Sequence, residues 1–176
     1  MFKRATVVFL LFFLNFIASQ EYDLPENIGE NFVFFKDKDS KIHLLKNNID
    51  YVFENKKWNK NILSYATSTR DSSIVFYKKG FNNVKFKSVN TETNTFLILN
   101  GGGPVLQVEK DKIIRIDNSV VQNNQFGAAI FEHNEKLHMH GGYGLWTFKD
   151  YTAYFDPTTG QWELCVFDLP PNIKPR

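Results

Sequence analysis

Disulfide chemistry is the first thing this sequence is short of, with one cysteine, Cys165, in 176 residues. Without an intrachain partner it leaves the fold to packing alone, and the plain role for the thiol is a buried side chain in a strand. Charge of one sign is missing too: 21 Lys and Arg stand against 19 Asp and Glu. Such a balance gives no field that would draw the chain to a polyanion, which argues against a nucleic-acid partner. Lys56-Lys57 and Lys78-Lys79 read as ordinary solvated pairs. Nowhere do the roughly 20 consecutive apolar residues of a membrane-spanning helix occur, so no stable anchor is expected within the chain. Paired carboxylates, a Ser-His-Asp set, a phosphate loop and zinc spacing are absent as well, which leaves no catalytic constellation and no cofactor to expect.

The N-terminus carries the longest apolar stretch. Lys3 and Arg4 precede a run from Ala5 through Leu14, and Ala18 and Ser19 stand before the polar Gln20-Glu21. That order of charge, apolar run and small residues is a secretory signal peptide, residues 1–19, cut after Ser19. The expected location is periplasmic or secreted. Losing Lys3 and Arg4 brings the basic residues to 19, equal to the acidic ones, in a mature chain of 157 residues.

Helical periodicity is nearly absent. Short runs rich in Phe, Val, Ile and Tyr recur between Asn, Asp, Lys and Gly: Phe32 to Phe35, Ile42 to Leu45, Asp50 to Phe53, Ile74 to Tyr77, Val84 to Phe86, Phe96 to Leu99 and Ile113 to Ile116. This texture predicts an all-β fold of short antiparallel strands. Sliding the chain by 39 places Gly102-Gly103 on Gly141-Gly142, Leu106 on Leu145, Lys110-Asp111 on Lys149-Asp150 and Asp117 on Asp156, six identities in 18 ungapped positions. A period near 40 in a strand-rich chain points to propeller blades.

The later copy can be laid out as four strands. Gln125 to Glu132 is the first, with Gly127-Ala128-Ala129 supplying the small side chains an innermost strand needs. Leu137 to Gly141 is the second. A loop, Tyr143 to Lys149, leads to a third strand ending in Tyr154-Phe155-Asp156. Pro157 to Gly160 forms a turn, and Gln161 to Phe167 the fourth strand. Four strands in about 40 residues make one blade.

An apolar strand, the diglycine Gly141-Gly142, the pair Phe155-Asp156, a Pro-containing turn and Trp162 together resemble the Kelch repeat of galactose-oxidase-like β-propellers. The resemblance covers one blade well, 125–176 with the start of a next one, and the preceding blade in part, 96–124, through Gly102 and Gly103. Residues 20–95 would be degenerate blades. It implies a partial or small propeller of four-stranded antiparallel blades. His138 stands where Kelch blades often have Tyr, and no Trp follows Asp117, so the earlier blade is expected to lack a regular outer strand. Pro175-Arg176 is similar to the start of a further blade, and 157 residues barely reach a four-bladed ring. The resemblance therefore implies a piece of a longer protein, prone to self-association through an open sheet face.

Candidate site residues follow from the same layout. His138 and His140 alternate along one strand, a possible pair of metal ligands that lacks an assignable third; a hydrogen-bonded histidine between blades is the commoner role. The copper site of galactose oxidase would need a Tyr cross-linked to Cys, and Cys165 in a fourth strand has no matching constellation. The loop Tyr143 to Asp150 should share a rim with Pro104 to Glu109 and with Asp168 to Arg176. There Tyr143, Trp146 and Phe148 would either offer aromatic faces to a sugar or peptide or fill gaps between blades. The function expected is a non-catalytic binding or sensing module for a protein or carbohydrate. Its alternatives are a sugar-active propeller enzyme similar to Kelch-fold sialic acid mutarotases, and the outward-facing sensor part of a longer signalling protein.

Overall fold

The computed structural model describes residues 22–26, 28–67 and 86–165. Residues 1–19, expected to be a signal peptide, the Ile74 to Tyr77 run, Lys78-Lys79, the segment from Asp168 expected at the rim and Pro175-Arg176 lie outside those residues. Among the described residues the protein is all-β, with no helix, and its strands gather into three successive antiparallel meanders.

The first sheet runs β1 (Val33–Lys36), β2 (Ile42–Lys46), β3 (Ile49–Glu54) and β4 (Lys57–Ile62) in simple up-and-down order. The second holds β6 (Phe86–Asn90), β7 (Thr95–Leu99), β8 (Val105–Val108) and β9 (Lys112–Arg115), with β5 (Ser64–Thr67) added along its β9 edge. The third is β10 (Ala129–His133), β11 (Lys136–His140), β14 (Thr152–Asp156) and β15 (Gln161–Leu164). Between β11 and β14 a small hairpin, β12 (Tyr143–Gly144) and β13 (Thr147–Phe148), stands as a sheet of its own.

The second sheet is the core, because a sheet lies on each of its faces. All five residues of β7, Thr-Phe-Leu-Ile-Leu, are buried, as a strand covered on both faces requires. Leu97, Leu106 and Ile113 pack with Val33, Phe35 and Leu45 of the first sheet. On the other face Val89, Phe96, Ile98 and Val105 pack with Leu137 and Phe155 of the third. Each fully buried Leu or Ile contributes about 1.5–3 kcal/mol relative to exposure. The first strands of the three meanders, β1, β6 and β10, lie next to one another. Lys87 of β6 ties that line together by donating to the Ala128 carbonyl just before β10 (2.6 Å).

Several expectations need correction. β5 pairs with β9 in parallel, not antiparallel, because the chain leaving β4 drops straight onto the open edge of β9 and satisfies its backbone groups. The unit around Gly102 does have a fourth strand, β9, and Pro104 to Glu109 is largely the third strand β8, not a loop. The ungapped repeat fails after the glycines: Leu106 is buried in β8, while Leu145 sits at the tip of the inserted β12–β13 hairpin. Both glycine pairs fall in the connection that follows the second strand of their meander, Gly141-Gly142 immediately after β11 and Gly102-Gly103 two residues further on, after Asn100 and Gly101. Cys165 lies one residue past β15 and is half-buried.

Candidate functional site: an apolar rim

Three segments meet at one end of the second and third sheets. They are the turn between β7 and β8, the connection from β9 to β10, and the β12–β13 hairpin. Backbone hydrogen bonds zip them together. Asn124 and Gln125 donate to the Gly101 carbonyl (3.0 and 3.1 Å), and Phe126 and Tyr143 exchange both bonds of a bridge (2.9 Å each). The glycine pairs explain how backbones come this close. Gly103 has φ +110°, and a Cβ there would stand 2.3 Å from the Val120 carbonyl oxygen; Gly142 has φ +99° and would press on Gln125 at 2.9 Å. Gln125, buried, donates its amide to the Gly141 carbonyl (3.2 Å).

Phe155, Trp162 and Asp156 are structural in the same sense. Phe155 is buried against the second sheet, and Trp162 packs beside it (5.7 Å between ring centres). Trp162 Nε1 donates to the Gly103 carbonyl at 2.9 Å, fastening the third sheet to the glycine turn of the second. Asp156 caps its turn, accepting from the Thr158 amide (2.9 Å) and the Thr159 hydroxyl (3.2 Å), and these bonds hold its carboxyl below the usual range. Asp117, its counterpart in the ungapped repeat, is instead buried. It accepts from the Val105 and Ser119 amides (2.9 Å each) and takes a two-pronged pair from Arg115 (2.9 and 3.1 Å).

Of the aromatic trio, Tyr143 and Phe148 face each other across the hairpin at 5.1 Å, and Trp146 projects from its tip. Trp146 is 94% exposed and Phe148 83%, so neither fills a gap between sheets. Leu145, Phe126, Val120 and Val121 extend the apolar surface over the neighbouring connection. The turn that carries the tip is strained. Two other two-residue hairpin turns in this chain, Asn55-Lys56 and Asn134-Glu135, have positive φ at both positions and lead with Asn, which tolerates it. The rim hairpin puts Leu145 (φ 50°) and Trp146 (φ 65°) into the same conformation. Bulky residues there cost about 1–2 kcal/mol each, and strain of this kind gathers where function keeps it.

His138 and His140 do lie on one face of β11, but that face looks away from the second sheet, so neither is buried between sheets. His138 Nδ1 donates to the Lys136 carbonyl (3.0 Å), and His140 Nδ1 bonds the Thr152 hydroxyl (2.8 Å). Among the described residues no group of three His, Cys, Asp or Glu side chains could hold a metal.

A second feature was not foreseen from sequence. A cleft of about 660 Å³ opens between the first and second sheets, lined by Asp37, His43, Asp50, Asn61, Thr95 and Glu109 among others. His43, buried on β2, bonds Asp50 through Nδ1 (3.0 Å) and Asp37 through Nε2 (3.1 Å), and stacks on Phe35 (4.7 Å). Burial pulls its pKa down most strongly of any single influence, yet the bonds and charges of Asp50 and Asp37 together outweigh it and raise it above the ordinary value. A histidine at an inward position of the Ile42 to Leu45 run, with an acid opening the next strand, was the available signal.

The fold and the site define an all-β protein of stacked antiparallel sheets with an exposed aromatic hairpin at one end. The chain matches no protein-family model and no curated protein.

Proposed function

We propose that the chain is an exported, non-catalytic binding module of Kelch-like β-propeller construction, its meanders acting as successive blades, which captures a protein partner through the β12–β13 hairpin. The glycine pairs in the connections after second strands, the neighbouring first strands and the Trp162 fastening support the propeller reading. The residues before Gln20 support export. The observation that carries the binding role is the solvent-exposed Leu145-Trp146 pair held in a backbone conformation that both residues disfavour.

A protein suits this surface better than a carbohydrate. Sugars stack on flat aromatic platforms in concave sites, whereas here Trp146, Leu145 and Phe148 form a projecting apolar knob that fits a pocket in another macromolecule. The sugar-active enzyme alternative gains nothing from the cleft, where Asp37, His43 and Asp50 are bonded to one another.

Replacing Leu145-Trp146 with Asn-Gly tests the reading directly. Relief of strain should raise unfolding free energy by about 1–2 kcal/mol, while affinity for a protein captured by the wild-type chain from the extracytoplasmic fraction should fall at least about tenfold, or 1.4 kcal/mol. Unchanged affinity would reject the rim as the site. Glycan-array binding that Trp146→Ala abolishes would move the ligand class to carbohydrate.

A further inference from the structure

Among the described residues no segment crosses the outward face of the third sheet, and the composition of that face has a handed pattern. Strand register sets its side chains in rows running across β10, β11, β14 and β15. One row is His133, Lys136, Asp156, Gln161; the next is Phe131, His138, Tyr154, Glu163; the third begins Ala129, His140, Thr152. Rings dominate the middle row: Phe131 stacks on His138 (5.4 Å), and His138 lies 6.3 Å from Tyr154, whose face also holds the Lys136 ammonium at 5.0 Å. Basic and imidazole groups therefore fill the β10–β11 half, and the acids Asp156 and Glu163 the β14–β15 half.

We infer that this face pairs with the same face of a second copy of the chain, about a two-fold axis running parallel to the strands. That axis is selected by charge. Rotation about it lays β10 over the partner's β15 and β11 over the partner's β14, so that Lys136 meets Asp156 and His138 meets Tyr154, each twice. Rotation about an axis across the strands, through the middle row, would keep β11 over β11, setting His138 over His138 and Lys136 over His140, and would leave Lys136 without an acid opposite it.

A head-to-tail arrangement, third sheet onto first, has no seat. Tyr22, Asp23 and Ile28 lie across the outward face of the first sheet, from Phe53 and Trp58 at one end to Lys46 at the other. Isologous pairing closes after two copies and leaves no edge to propagate. Four strands about 4.8 Å apart and about 17 Å long give a footprint of roughly 300 Å² per copy, well below the roughly 800 Å² per partner of a stable specific interface. The dimer is accordingly weak and concentration-dependent.

Sedimentation of the full chain between about 5 and 500 μM tests this. Wild type should pass from monomer to dimer and stop there. Lys136→Asp alone and Asp156→Lys alone should each weaken association at least tenfold, since each sets like charges opposite, whereas an equimolar mixture of the two should restore it, both contacts then being complementary. Melting curves establish that each variant is folded, and Phe131→Asp, on the same face outside the charge pair, gives an independent variant expected to abolish pairing. A monomer at every concentration, assemblies larger than a dimer, or a mixture no stronger than its components would each overturn the inference. The Asn-Gly hairpin variant should dimerise as wild type does, so failure here and failure at the rim are told apart.

Discussion

The first and third sheets are built alike, each a four-stranded meander with one face against the central sheet, yet their outward faces have opposite fates. On the first, Leu44 points away from the core and is still only 1% exposed. The segment before β1 crosses over it: Tyr22 packs edge-on against Phe53 (4.9 Å), Asp23 accepts from Trp58 Nε1 (2.9 Å), Lys46 bonds the Ile28 carbonyl, and Ile28 is buried. On the third, Phe131 occupies a comparable outward position and remains 40% exposed among histidines, Lys136 and acids. The histidines divide the same way, with His43 turned inward between two aspartates and His138 and His140 turned outward. What the pair teaches is that a meander does not determine its own second face; the neighbouring chain does.

The sharpest way to break this comparison is to truncate the two outward apolar side chains in parallel. Leu44→Ala should cost about 2–4 kcal/mol, because it hollows a covered site, and Phe131→Ala under about 1 kcal/mol, as a partly exposed residue does. Urea denaturation of both variants at a concentration where the chain is monomeric measures the difference, and equal costs would mean that the crossing segment does not seal the first face.

A smaller effect separates the histidines by pH. His43 has a folded pKa above its unfolded value of 6.5, so its contribution is complete below about pH 6.5 and disappears as pH rises through the folded pKa. Unfolding free energy should therefore decline over that window in wild type, and His43→Gln should flatten the decline. A wild-type decline that persists in the variant would show that the Asp37–His43–Asp50 bridge is not its source.

The smallest expected change comes from Trp58→Phe. It removes only the indole bond to the Asp23 carbonyl while keeping an aromatic ring beside Phe53 (5.0 Å in the wild type). The loss should be about 0.5–1.5 kcal/mol, readable as a lowered melting temperature, with the third sheet's properties unchanged.

Much of the strand content was legible because burial of one or both faces demands apolar residues. The runs at Phe32 to Phe35, Ile42 to Leu45, Asp50 to Phe53, Phe96 to Leu99 and Ile113 to Ile116 all fall within or overlap observed strands. β4, Lys-Trp-Asn-Lys-Asn-Ile, carried no such signal, since an outer strand with little burial is held by its backbone pairing to β3. β8 was hidden for another reason. Val105 and Leu106 are fully buried, but the ungapped repeat laid them on the hairpin loop, and an insertion inside one copy is invisible to a fixed offset. At the rim, Tyr143, Trp146 and Phe148 were recognisable as ring-bearing loop residues; whether they packed or projected was not. That His138 and His140 share one face followed from period-two alternation, but which face would be covered did not.

The sequence by itself determined an all-β chain, the place of the glycine pairs after second strands, and the turn chemistry at Pro157, because these follow from local backbone preference and apolar periodicity. Only the tertiary structure decided the parallel seating of β5 on β9, the burial of Asp117 against Arg115, the exposure of Trp146 and the contrast between the two outer faces. Each of these depends on which segments, distant in sequence, come to cover an edge or a face, and solvent exclusion by a distant segment leaves no mark in a residue's own neighbourhood.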